Sequence, residues 1–429
     1  MPTFLDNSWF RNIYCNLVEN DSARCASGGW FGDGILPNNL AWLAYTVAAF
    51  VICFAILNAL LGSVIVYIWA WRRVFARFQR RSGPNRWGPF GMLTTVADAI
   101  KTMFKEDVVP AEADRLIFNI APVLMVVPVF MVFAVIPFGA GTFFVDLNVG
   151  ILFIIAVTSG SVLAVVMAAY GSANRVAIFS GMRSVALLMS YEIPMAISVI
   201  GAVMVAGSLS LGRIVEAQDV PFIIVMPLGF LVFAICALAE SNQTPFDIAE
   251  AESELGSGYL NDYSSMKFGL FYLAEFAAGI AAAAIITTVF LSGWRGWWPI
   301  PSQFWFFGKM GAVLFGMMWI RFTWPRLRPD QVMGLAWKGM FELPLINLLS
   351  TGIMVAVFAD EEAPGDLFSA NELWIMAAVN WVVFVVSVWA IGKLLAPKPY
   401  RAAMLEAPVQ LYPVGVDEMP AVKAAGAAD

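Results

Sequence analysis

Glu192 lies near the middle of an apolar run, in LLMSYEIPMAIS. Burying an ionisable side chain there costs about 3 kcal/mol on insertion scales, so such residues usually face a cavity and serve function. The chemistry expected is proton exchange by a carboxyl that rests neutral or partnered. The bland alternative is a carboxyl held by a hydroxyl of a neighbouring helix. Pro194, two residues on, removes a backbone donor and can free a carbonyl or admit water. Glu275, in FYLAEFAAG, raises the same question, with snorkelling towards the Lys267 end of its helix as the alternative.

Glu240 closes another apolar run and opens the stretch ESNQTPFDIAEAESELGSGYLNDY. Glu240, Asp247, Glu250, Glu252, Glu254 and Asp262 gather there with no Lys or Arg among them. Asp247, Glu250 and Glu254 fall at i, i+3 and i+7 of any helix that starts after Pro245. Carboxylates repelling one another on one face raise each other's pKa, a condition for holding and passing protons near neutral pH. For Glu240 the alternative is a simple charge at a helix end. For the cluster it is a hard-cation site.

The elements that must position these groups are membrane helices. Of the 429 residues, 60% are apolar and only 13% charged, whereas a soluble domain carries roughly a quarter charged residues. The apolar runs reach about 20 residues, which points to an all-α polytopic membrane protein and not to the short alternating segments of a barrel. There is no His, which excludes His-ligated haem, the usual zinc sites and His proton relays. The four Cys include no CxxC pair, which argues against an iron–sulfur cluster held by this chain alone. No Walker A sequence, dinucleotide fingerprint or internal repeat is present, and no nucleic-acid partner is expected. The polar, acidic start of the chain shows no cleavable signal peptide.

Nine spans are expected, at about 40–71, 115–138, 147–170, 184–207, 221–240, 267–292, 303–322, 339–358 and 371–395. Between the first two, glycines and prolines at 83–91 precede an amphipathic helix at about 90–105. Met92, Val96, Ile100, Met103 and Phe104 lie on one side of it, and Asp98, Lys101 and Lys105 on the other, as suits a helix in the interface plane. Twenty of the 25 Lys and Arg fall in alternate loops that must share a side. The positive-inside rule then puts the N-terminus outside and the C-terminus in the cytoplasm. Four parts follow: an outer segment 1–39, an eight-helix domain 40–358, an acidic linker with a ninth helix at 359–395, and a tail 396–429 that reads as disordered. Cys15 and Cys25 fall on the oxidising side, where a disulfide is expected, while Cys53 and Cys236 lie in spans.

Four ordered blocks carry a resemblance: GPNRWGPFG with ADAIKTMFKEDVVPAEAD, GMRSVALLMSYEIP, ESNQTPFDIAEAESELGSGYLNDYSSMKF, and WIRFTWPRLRPDQVMGLAWK. Together they resemble the H subunit of bacterial NADH:quinone oxidoreductase, respiratory complex I, over about 40–358. The resemblance implies a quinone chamber whose mouth is built from the basic and acidic loops, in the cell inner membrane. It implies proton coupling through Glu192, Glu240, Asp247, Glu250, Glu252 and Glu254, with Arg86, Asp98, Lys101 and Arg326 at the chamber mouth. Quinone would be the substrate, with no flavin, iron–sulfur cluster, haem or metal held by this chain. Partners would be cluster-binding subunits of a peripheral arm, other membrane subunits including antiporter-like ones, and the lipid bilayer.

The sequence departs from that family at Trp71 (usually an acid), Gln243 (usually Arg), Thr94 (usually Gln) and Pro329 (usually Tyr). Those departures bear on the quinone and the electron donor. The alternatives are a membrane anchor of an energy-converting hydrogenase or formate hydrogen lyase, an independent secondary ion transporter, and a structural scaffold. The absence of an inverted repeat argues against the transporter.

Overall fold

The structure, a computed structural model, describes residues 41–247, 258–296, 300–358, 368 and 370–395. Cys15, Cys25, Glu250, Glu252, Glu254 and the tail 396–429 lie outside the described residues. Those described form an all-α membrane protein, with a single bridge between Gly139 and Thr142 in place of any sheet.

The first helix among the described residues, α1 (Ala41–Phe78), runs 38 residues. At 1.5 Å per residue that is about 57 Å, so its basic last turns must project beyond roughly 30 Å of hydrocarbon or the helix must tilt. Trp69 Nε1 and Arg73 each donate to the Phe90 carbonyl at 3.0 Å, and Arg72 pairs with Asp98. These bonds dock α2 (Leu93–Met103), the expected amphipathic helix, on the end of α1. Its Ile100 and Met103, and Phe104 just beyond, stay exposed, as an interfacial helix requires.

Helix α3 (Arg115–Phe133) starts where Asp114 accepts from the Leu116 N–H. The next run divides into α4 (Gly150–Thr158) and α5 (Gly160–Gly171). At the join, the hydroxyls of Thr158, Ser159 and Ser161 donate to carbonyls three residues back, at 2.8–3.1 Å, and compete with the helix's own bonds. Helix α6 (Arg175–Ala206) begins nine residues before the expected 184, because the Asn174 side chain caps it, and ends at Gly207 with φ 62.

After α7 (Leu211–Glu216) the expected span 221–240 comes in two pieces, α8 (Phe222–Val225) and α9 (Pro227–Glu240). Met226, at φ −132 and ψ 67, leaves the helix, and Pro227 has no N–H with which to continue it. Then follow α10 (Ser265–Phe290), α11 (Ser302–Thr323), α12 (Pro329–Leu335), a π-type turn at Ala336–Met340, α13 (Glu342–Phe358) and α14 (Ala370–Leu395).

Seven helices among the described residues are long and apolar enough to cross a membrane. The other two of the nine expected spans are the broken α8–α9 run and α11, which carries Lys309 and Arg321. Lys309 Nζ donates to the carbonyls of Leu291, Gly293 and Arg295 at 2.7, 3.1 and 2.7 Å, capping the end of α10.

The most deeply buried span, α10, packs against α1, α3, α9 and α11. Its Gly279 and Ala281–Ala284 let neighbouring backbones approach closely. A second apolar cluster joins α3, α5 and the start of α10 through Tyr263. The Tyr263 ring stacks on Phe118 at 4.1 Å, and its hydroxyl donates to the Ala168 carbonyl at 3.3 Å. Burial, with the Asp262 carboxylate beside it, pushes that phenol's pKa up from its ordinary value. Lys267 pairs with Asp107 at 2.8 Å, Asn174 donates to Asp262 at 3.1 Å, and the Ser265 hydroxyl lies 2.7 Å from the Lys105 carbonyl.

Candidate functional site

A cavity runs inside the bundle between α3, α4, α6, α9 and α10. Most of its wall is apolar, from Met125 and Val129 to Phe233 and Ile285, but Glu240, Ser241, Asn242, Glu275, Thr158 and Ser161 also line it. Two carboxyls from different helices thus line one cavity. The structure resolves the ambiguity at Glu275, ten residues into α10, by placing it on this wall.

Glu192 is half-buried on α6, between the fully buried Tyr191 and Pro194. It is not itself on the wall, although Leu188, Met195 and Ala196 of the same helix are. It sits near enough to Glu240 for their charges to repel. Helix α9 brings Glu240 there because it ends in a tight turn, with Ser241 and Asn242 buried at its exit. Asn242 takes φ 48, a left-handed conformation that Asn tolerates.

The turn after Glu240 is wedged into the protein. Gln243 is 1% exposed, Phe246 packs on the Tyr191 ring at 5.3 Å, and the Leu327 N–H donates to the Pro245 carbonyl at 3.1 Å. The Tyr191 hydroxyl donates to the Val332 carbonyl at 3.0 Å, which ties α6 to α12. Asp247 is half-buried at the far end of this turn.

The site continues towards α1. Gln243 Nε2 lies 3.4 Å from the Tyr67 hydroxyl, and Tyr67 is within electrostatic reach of both Arg321 and Glu275. Trp71, one turn further along α1, meets Phe276 at 6.0 Å and Phe322 at 5.7 Å, with the Arg321 guanidinium 5.0 Å from its ring centre. Four buried polar atoms in this neighbourhood have no hydrogen-bond partner: Trp71 Nε1, Asn242 Oδ1, Gln243 Oε1 and Arg326 Nη2.

The expected site residues therefore divide. Glu240 lines the cavity, and Glu192 lies off its wall but within electrostatic reach of Glu240. Asp247 and Arg326 flank the buried turn beside it. Asp98 is half-buried and paired with Arg72, while Arg86 and Lys101 are exposed, and none of these three lines the cavity. Tyr67 and Asn242 escaped the sequence reading. Asn242 lies inside the quoted acidic stretch, but only the packed backbone shows where it points. Among the described residues no group of His, Cys, Asp or Glu side chains is arranged to hold a metal ion.

These groups follow one another through the bundle. Arg321 and Tyr67 connect to Glu275, Glu275 shares the cavity with Glu240, and Glu240 feels Glu192.

Comparison with known proteins supplies the family. The family model for NADH dehydrogenase matches residues 36–352. The NADH-quinone oxidoreductase H subunit of Dehalococcoides mccartyi (strain CBDB1) is 50% identical over 299 residues, covering 70% of this chain and 84% of the relative. The H subunit of Geobacillus kaustophilus (strain HTA426) is 45% identical over 312 residues, covering 71% and 93%. That of Anoxybacillus flavithermus (strain DSM 21510 / WK1) is 44% identical over 331 residues, covering 76% and 98%.

Proposed function

The chain belongs to the NADH dehydrogenase family, as a subunit of a multi-subunit NADH-quinone oxidoreductase, and from that premise we propose that it walls the quinone chamber and carries the first part of the proton path. The observation that supports this reading most is the electrostatic continuity from Arg321 and Tyr67 through Glu275 and Glu240 to Glu192. Quinone is the substrate, and electrons reach it from a cluster-binding subunit docked on the basic and acidic loops. The other membrane subunits, antiporter-like ones among them, receive the signal. The N-terminus lies outside the cell inner membrane and the C-terminus in the cytoplasm. Residues 40–358 form the coupling domain, and 359–395 the added linker and helix.

Quinone reduction adds negative charge at the loop end of the chain. Arg321 and Arg326 offset part of it, while Asp247, Glu250, Glu252 and Glu254 set the potential there. Arg86, Asp98 and Lys101 shape the mouth. Protonation of Glu275 and Glu240 answers that charge, and Glu192, deeper along the route, passes the change onward. Ionised carboxyls coupled in low dielectric cannot all hold charge at once, so a change of charge at one shifts the protonation of the next.

Glu192→Gln tests the reading, because the amide keeps the size and most of the bonding but releases no proton. The complex assembles and reduces an artificial acceptor, while quinone-linked proton pumping in inside-out vesicles falls about tenfold or more. Ser190→Ala is far milder, since that hydroxyl bonds only its own helix at the Ala186 carbonyl. Full pumping by the Gln variant, at normal levels of complex, returns Glu192 to a buried, hydrogen-bonded carboxyl. Co-purification with hydrogenase subunits in place of a peripheral arm for NADH would favour the anchor reading.

A further inference from the structure

The break between α8 and α9 frees backbone groups within the membrane. In an unbroken helix the carbonyls of Ile224 and Val225 would accept from N–H groups four residues on. Met226 turns out of the helix between them, and Pro227 starts a new one. No water replaces a lost main-chain bond in hydrocarbon, so irregular backbone persists there only where protein groups or a wet cavity satisfy it.

Here α14 does so. Asn380 Nδ2 donates to the Val225 carbonyl at 2.9 Å, and Trp381 Nε1 donates to the Ile224 carbonyl at 3.1 Å. Asn380 is 1% exposed, and its Oδ1 in turn accepts from the Ser350 hydroxyl of α13 at 3.0 Å. Consecutive side chains of one helix thus meet consecutive orphaned carbonyls of another. Helix α14 packs along α8, α9 and α13, and it lies beyond residue 352, where the family match ends.

We infer that α14 is a built-in brace for this break, and that Asn380 is a positioning residue for Glu240. Helix α9 is a rod of 14 residues, about 20 Å long, with the clamped break at one end and Glu240 at the other. A short helix does not bend easily, so rotation or sliding at Met226 reaches the carboxylate. Gly229, one turn in, leaves no slack, since a Cβ there would lie 3.0 Å from Asn347 Nδ2. The brace stands on the hydrogen bonds alone; its effect on Glu240 rests on the function proposed above.

Two measurements on the intact complex in lipid nanodiscs and vesicles test this. The first is hydrogen–deuterium exchange of peptides covering 221–231. Asn380→Leu speeds exchange there about tenfold, and Trp381→Phe about threefold, as loss of a buried hydrogen bond predicts, while α10 peptides do not change. The second is the ratio of protons pumped to electrons delivered to quinone, which falls in Asn380→Leu at unchanged turnover per assembled complex. A merely structural role would lower assembly and turnover and leave that ratio alone. Unchanged exchange at 221–231 in both variants overturns the brace. Faster exchange with an unchanged ratio overturns the positioning of Glu240. If Asn380→Leu does not assemble, Trp381→Phe and Ser350→Ala decide both points. Normal pumping by Glu192→Gln would instead sink the proposed proton path and leave the exchange result standing.

Discussion

The start and the middle of α10 are packed on opposite principles. Near its start, around Tyr263 and Phe118, polar groups have partners: the phenol bonds the Ala168 carbonyl, Lys267 bonds Asp107, and Ser265 bonds Lys105. Further along, around Gln243, Trp71 and the cavity, four buried polar atoms have none. An unsatisfied buried group costs about 1–3 kcal/mol, so the second arrangement is one a purely structural region would shed. On the proposed function, substrate, water or protons complete it, whereas the bonded start of α10 holds the helices together.

The largest effect that could break this contrast is at Glu275. Glu275→Gln leaves assembly normal and lowers quinone-linked pumping about tenfold; a variant that pumps normally would remove the cavity from the proton path. Next is Phe118→Ala on the satisfied side, which costs about 3–5 kcal/mol and sharply reduces assembled complex on native gels. What does assemble keeps its normal ratio of protons to electrons, and a lowered ratio would mean that the two regions are not separate.

Tyr263→Phe is gentler, at about 1 kcal/mol at neutral pH. Burial and Asp262 hold the Tyr263 phenol above its ordinary value, so the unfolded chain loses that proton first. Stability should therefore hold below about pH 10 and fall as the pH rises further, and the Phe variant escapes that alkaline part. Thermal retention of folded protein against pH reads it, and identical alkaline curves would show that the phenol is not buried. Smallest is Gln243→Leu, within about 0.5 kcal/mol of the parent, because its Oε1 has no bond to lose and its contact to Tyr67 is long. A loss as large as that of Tyr263→Phe would erase the contrast.

Much of this was legible in the sequence because hydrocarbon is a strict solvent. Apolar runs announce α1, α3, α10 and α14, and a carboxylate within such a run, like Glu192, announces itself by its cost. The α8–α9 break was less visible, although Pro227 stood in the run, since proline alone does not say whether a helix kinks or stops. The early start of α6 depended on the Asn174 cap, which an apolar count passes over. Glu275 was ambiguous for a different reason: snorkelling and cavity-lining differ only in the direction of a side chain. The neighbourhood of Tyr67, Trp71 and Gln243 joins positions some 176 residues apart, and nothing local in either segment foretells the meeting.

Biogenesis inherits a problem from the clamp on the broken helix. Val225 and Asn380 are 155 residues apart, so at about 5–20 residues per second the ribosome makes the break roughly 8–30 seconds before its partner exists. During that interval two bare carbonyls must wait in the insertion channel, in water, or against the chaperoning surface of another protein. Helix α14, made so long after the break, therefore sets when the middle of the chain can finally enter lipid.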